Sequence, residues 1–100
     1  MTYFDRIDGV YFRVYYDFMA ETIDERVSVG LMSNHLKGSV MPVTLYWRGR
    51  RYQLTKLGLH HTTHEGRVLF HIFSVTDGTS YFKLQFDTET LGWKLLEIGE

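Results

Sequence analysis

A chain of 100 residues without a single cysteine excludes disulfide stapling, thiolate catalysis and cysteine-based zinc sites together. Folding a chain this short buries only about 60 to 65% of its unfolded surface, so one domain spanning 1–100 with one modest core is expected. A net charge of −1 argues against strong nonspecific nucleic-acid binding, and 16% aromatic residues are the expected substitute for staples, which favours sheet over helix.

The charge is unevenly spread. Residues 1–25 carry two cations against six anions, residues 26–71 seven against one, and residues 72–100 two against five. A basic middle between acidic ends fits either an anionic partner or pairing between segments of one chain, with slightly more weight on the second. No apolar run approaches the roughly 18 residues a membrane span needs. Asp5 and Asp8 stand where a signal peptide would be basic, so no membrane partner and a cytoplasmic location are expected.

Asp8-Gly9 is read as closing a hairpin between residues 3–7 and 10–18, in which Val10, Phe12, Val14, Tyr16 and Phe18 share an apolar face. Residues 1–18 would then be an N-terminal arm or hairpin, and 19–100 the β core. Residues 20–36 admit two descriptions. Ile23, Val27 and Leu31 have helical spacing, whereas residues 26–31 alternate and contain a strand-like valine pair; the strand is preferred. Residues 33–41 read as a polar connection, and Pro42, the only proline, as the opening of the next strand.

From residue 43 onward the pattern is strand, turn, strand. Residues 44–47 and 52–57 flank an Arg48-Gly49 turn, and residues 62–66 read as a hairpin loop. Residues 67–75 are apolar on both alternating faces, as in a central strand covered on both sides. Asp77-Gly78 readily adopts the positive φ angles of a short hairpin, returning the chain through 80–86 with Phe82, Leu84 and Phe86 on its buried face. A turn at 87–92 leads into a strand over 93–98. The fold class expected is all-β, mostly antiparallel: a single-domain meander of four or five strands, forming a strongly bent sheet or a small partly open barrel.

The segments 24–29, 47–52, 58–61 and 71–75, with Phe82-Lys83-Leu84-Gln85-Phe86-Asp87-Thr88 and Trp93, resemble a small bacterial family of unknown function. Its members are short all-β domains built around a Trp-Arg-Gly-Arg-Arg-Tyr hairpin, found among hypothetical proteins of candidate-phyla bacteria. Distant relatives are encoded beside accessory genes of error-prone DNA polymerases. The resemblance spans about four-fifths of the chain and implies architecture and a lean toward nucleic-acid metabolism; it carries no catalytic residue.

The run Tyr46-Trp47-Arg48-Gly49-Arg50-Arg51-Tyr52 concentrates one charge sign between aromatic rings. Arg48, Arg50, Arg51 and Lys37 suit a phosphate backbone, and Trp47, Tyr46 and Tyr52 suit stacking on unpaired bases. The plainer reading is a solvated turn whose arginines pair with the acidic ends, with Trp47 in the core. His60, His61, His64 and His71 invite a metal hypothesis, since imidazole binds divalent zinc, nickel and copper. In an extended strand, however, His60 and His61 point to opposite faces, and Glu65 is the only dependable carboxylate nearby. A solvated loop with one packed histidine is expected, with no metal and no cofactor. A metal-dependent enzyme would need three of these groups on one ion.

The serines and threonines sit in no nucleophile elbow and no glycine-rich phosphate loop occurs, so an enzyme is not expected. The expected function is a noncatalytic binding module contacting an anionic partner, nucleic acid first or an acidic protein surface, through the basic aromatic hairpin. The alternative is a protein-interaction or homo-oligomeric assembly module. Sheet edges and a tyrosine face made of Tyr3, Tyr11, Tyr15 and Tyr16 would bind another chain, with a homodimer formed by an edge or by exchange of residues 1–18.

Overall fold

The computed structural model describes residues 6–7, 10–11, 20–36 and 38–99, among which the alternating pattern becomes strands and no helix forms. Hence no helix there is long and apolar enough to cross a membrane. β1 (Arg6–Ile7) and β2 (Val10–Tyr11) pair antiparallel with Ile7 opposite Val10; the Asp8-Gly9 turn and the rest of that N-terminal reading, and Lys37, lie outside the described residues. β3 (Glu21–Asn34), β4 (Ser39–Trp47), β5 (Arg50–Gln53), β6 (Lys56–Glu65), β7 (Val68–Thr76), β8 (Tyr81–Asp87) and β9 (Trp93–Gly99) form one antiparallel sheet in the order β5-β4-β3-β9-β8-β7-β6.

Residues 20–36 thus settle as strand. In β3, Ile23, Val27 and Val29 pack against the core while Arg26 and Ser28 are exposed, the period of two that a helix would not give. The core is the inner face of the sheet. Leu45, Val75, Phe82, Leu84 and Leu95 are fully buried, joined by Leu54 and Phe73. Each such side chain contributes roughly 1.5–3 kcal/mol when removed from water. In β7, Ile72 is buried on the face opposite Phe73 and Val75, as expected of a strand covered on both sides.

The sheet is strongly bent and not closed into a barrel; β5 and β6, consecutive in the chain, are its two edges. The bend brings the ring of Tyr52 on β5 within 5.2 Å of Phe82 on β8, although three strands separate them in the sheet. Its physical source is a series of register shifts. They fall between Thr22 and Glu25, where Asp24 has φ 54°, between Gly30 and Leu31, between Leu57 and Leu59, and between Lys83 and Leu84. Each extra residue on one strand locally kinks the ladder and increases its twist. The crossing from β5 to β6 is fastened on both sides, because Leu54 N–H donates to Val43 O and Thr55 N–H donates to Thr76 O, each at 2.8 Å.

Several sequence expectations need correction. There are seven strands in the sheet, not four or five. Residues 33–41 are not a polar connection but the tip of a long ribbon, with Met32 opposite Met41 and Asn34 opposite Ser39. Pro42 lies inside β4, buried, facing Leu31 at a bulge beyond the reach of β5, where a missing N–H disturbs no second ladder. The strand expected over 52–57 is broken at Leu54 and Thr55. Residues 62–65 continue β6, and the turn is the two residues Gly66-Arg67, since Glu65 pairs with Val68. At Asp77-Gly78 only Gly78 has positive φ, and the loop is closed instead by Asp77 Oδ1, which accepts from Thr79 N–H and Ser80 N–H at 2.9 and 2.8 Å.

Candidate binding site

The basic hairpin is built as its sequence suggests. Trp47 pairs with Arg50, so Arg48 and Gly49 form a two-residue turn, with φ 52° and 77°. Two positive φ angles in succession define the type I′ geometry, whose twist matches that of the flanking strands. Alternation then divides the arginines. Arg50 shares the inner face with Trp47, Tyr52 and the core residue Leu45, while Arg51 stands opposite Tyr46 on the outer face, where Tyr46 is 49% exposed. Sequence reasoning placed all three guanidinium groups on one surface; the pleat separates them.

Each arginine has a different partner. Arg48 lies over the Trp47 ring, 4.6 Å from its centroid, and forms an ion pair with Glu25. Arg50 lies over Tyr52 at 5.2 Å, and among the described residues no carboxylate is within ion-pair distance of it. Arg51 donates to Gln53 Oε1 at 3.0 Å. Beside Arg50 is a depression of about 480 Å³, walled by Trp47, Arg48 and Tyr52 and, across from them, Glu21, Asp77 and Ile98. The cleft is therefore of mixed sign, with a ring-backed cation at its rim. A larger depression of about 610 Å³ involves Arg26, Lys94, Asp24, Asp87 and Glu65. Its Lys94 already contacts Asp24 at 3.3 Å and its acids outnumber its bases, so it is the poorer place for an anion.

Glu25 is the residue that sequence reasoning missed. It occupies the inward row Ile23, Glu25, Val27, Val29 of β3, where a carboxylate among apolar neighbours was the available signal. Its Oε1 accepts from Trp47 Nε1–H at 2.9 Å. Hydrogen bonds from Arg48 and then Trp47 hold the carboxyl below its usual range, and the carboxylate in turn raises the Arg48 guanidinium. The acidic segment 1–25 thus pairs with the basic middle at this point, which is the segment complementarity weighted in the charge distribution.

The histidines separate by face. His60 and His71 come together on the inner face and His61 pairs across from Ile72 on the outer one, while His64, opposite Leu69, shares the inner face but lies farther along exposed β6. Among the described residues no three histidines or acids gather in a way that would hold an ion. Burial, and then the neighbouring His71 and His61, lower the pKa of His60. Comparison with family models, with curated proteins and with solved structures finds no match for this chain.

Proposed function

We propose that the protein is a noncatalytic binding module that takes an anionic group of its partner, nucleic acid in the first instance, at the inner face of the β4–β5 hairpin. The observation that carries this reading is Arg50: its guanidinium is stacked on Tyr52, exposed, and lacks a carboxylate partner among the described residues, beside a cleft walled by Trp47. A ring-backed guanidinium is held in place for a phosphate, and adjacent aromatic faces accept unpaired bases regardless of sequence. Arg48, committed to Glu25, braces the hairpin and contributes less charge. Lys37 and an acidic protein surface remain part of the proposal as further cation and further partner.

Fluorescence anisotropy with labelled single-stranded and duplex oligonucleotides tests it, using wild type and the single variants Arg50→Ala, Arg51→Ala and Arg48→Ala at low and physiological salt. Binding that Arg50→Ala removes and Arg51→Ala spares supports the inner-face contact. A site engaging one or two phosphates on a single strand gives a log–log salt slope of about −0.7 to −1.4. Absence of binding at low salt rejects nucleic acid as the partner.

One observation favours a second reading, homo-oligomeric assembly. The β3–β4 ribbon extends past the ends of β9 and β5 and exposes Leu31 (48%), Met32 (52%), Leu36 (85%) and Val40 (55%). Exposed apolar side chains on a ribbon whose edges are unpaired among the described residues suit a second chain. Light scattering on the same samples distinguishes the two: a stable oligomer without oligonucleotide binding favours assembly.

A further inference from the structure

We infer that His60 and His71 form a chelating site for a divalent transition-metal ion of the copper(II) or nickel(II) type. The inference is independent of the hairpin reading, because the two histidines lie on β6 and β7.

The site follows from register. His60 pairs with Phe73 and Thr62 pairs with His71, so the two imidazoles project from the same face of neighbouring strands, one diagonal step apart. Diagonal side chains across an antiparallel pair are within reach of each other when they are long or aromatic. Here His60 Nε2 is 2.8 Å from His71 Nδ1, with ring centroids 5.1 Å apart and planes 13° from parallel. Phe73 stacks on His60 at 4.5 Å and 11°, and Phe86 flanks His71 at 6.3 Å. These rings restrict the imidazole planes on one side while His60 stays open to solvent. The pair is thus preorganised and accessible.

The separation selects among metals. An ion about 2.0–2.1 Å from both nitrogens, with the nitrogens as close as in this pair, subtends an angle of about 85–90°. That is the angle between adjacent positions of square-planar and tetragonal copper(II) or nickel(II) sites, whereas a tetrahedral zinc site requires nitrogens about 3.3 Å apart. Two protein nitrogens leave the remaining positions to water.

The proton balance is simple. In the neutral pair one ring N–H donates to the lone pair of the other ring. Binding an ion requires both facing nitrogens free, so the donor ring keeps its position and, by exchange with water, takes the tautomer that carries its proton on the other nitrogen. Two neutral imidazoles therefore bind the ion with no net proton release, and a protonated pair must first lose a proton.

The test uses Cu²⁺ as the probe with the full chain at neutral pH. Pulsed electron paramagnetic resonance counts coordinated imidazoles, and competition with a chelator of known affinity gives the strength. The expected result is one strong equivalent with a two-imidazole signature. His60→Phe and His71→Phe, which keep an aromatic ring on the shelf, should each weaken it by about tenfold or more and leave one imidazole at most. His61→Asn and His64→Asn should leave both readouts unchanged. A signature that survives His60→Phe, or that is lost in His64→Asn, overturns the proposal. Should the phenylalanine variants not fold, paramagnetic broadening in wild type decides instead: it must centre on the ring protons of His60 and His71, and broadening centred on other histidines overturns the site.

Discussion

Trp47 donates its indole N–H to Glu25 Oε1 across 2.9 Å, and the same carboxylate holds Arg48, which itself covers the Trp47 ring. One acid on β3 therefore sets both the orientation of the tryptophan and the availability of an arginine at the candidate site. Glu25→Gln keeps an acceptor for the indole while removing the charge. Anionic oligonucleotide binding at low salt should rise severalfold in this variant, because Arg48 is released and one negative charge leaves the cleft; the gain should shrink toward physiological salt as screening takes over. Unchanged or weakened binding in Glu25→Gln would mean that the cleft is not the contact.

The turn carries its own prediction. Arg48 and Gly49 both have positive φ, and a Cβ added at Gly49 would meet nothing within 4 Å. Gly49→Ala therefore introduces no clash and should destabilise the fold by about 1–2 kcal/mol through the left-handed backbone alone. Urea unfolding should show a lower midpoint with an unchanged slope, and Gly49→Asn, which tolerates this region better, should lose less.

What made the fold legible was alternation wherever a strand has one buried and one wet face. Phe82, Leu84 and Phe86, the strand over 93–98 and the valine pair of β3 announced themselves this way. The ribbon tip at 33–41 did not, because its residues are exposed on both faces and leave no hydrophobic pattern to read. The arginines were legible as a cluster but not as a surface, since facing is decided by the pleat and neighbouring letters in a strand point apart. The pairing of His60 with His71 depended on recognising Gly66-Arg67 as the turn. The polar run 62–66 concealed it, and with the loop placed there the register that joins the two rings is lost.

At the centre of the inner face, Phe82 is fully buried and its ring meets Tyr52 from the far side of the bend. Phe82→Ala should cost about 3–5 kcal/mol, a large part of the stability of a domain of this size. It should also loosen Tyr52, the ring beneath Arg50. Phe82→Leu, which keeps most of the volume, should retain the fold while abolishing the ring contact. Thermal unfolding should rank wild type above Phe82→Leu above Phe82→Ala, and an alanine variant of wild-type stability would contradict a core centred on this side chain.

Acid sensitivity should appear first at His60. His60 has its pKa lowered from the ordinary value of 6.5 by burial, then by His71 and His61; the rings that pack on it, Phe73 and His71, bring no acid to offset this. A lowered folded-state pKa means that just below pH 6.5 the unfolded chain binds more protons at this group than the native one does. Its contribution to stability is therefore fully present above pH 6.5 and is lost as the pH falls toward the folded-state value. The carboxyls of Glu25 and Asp87 are held below their ordinary values of 4.5 and 3.8, so their contributions are lost only at lower pH and the two windows separate. Chemical denaturation across this range should show wild type losing stability beginning near pH 6.5, and His60→Phe losing less in that interval while matching wild type in the carboxylate window. Equal slopes for the two proteins between pH 6.5 and the carboxylate range would show that His60 does not titrate in the folded state as its surroundings require.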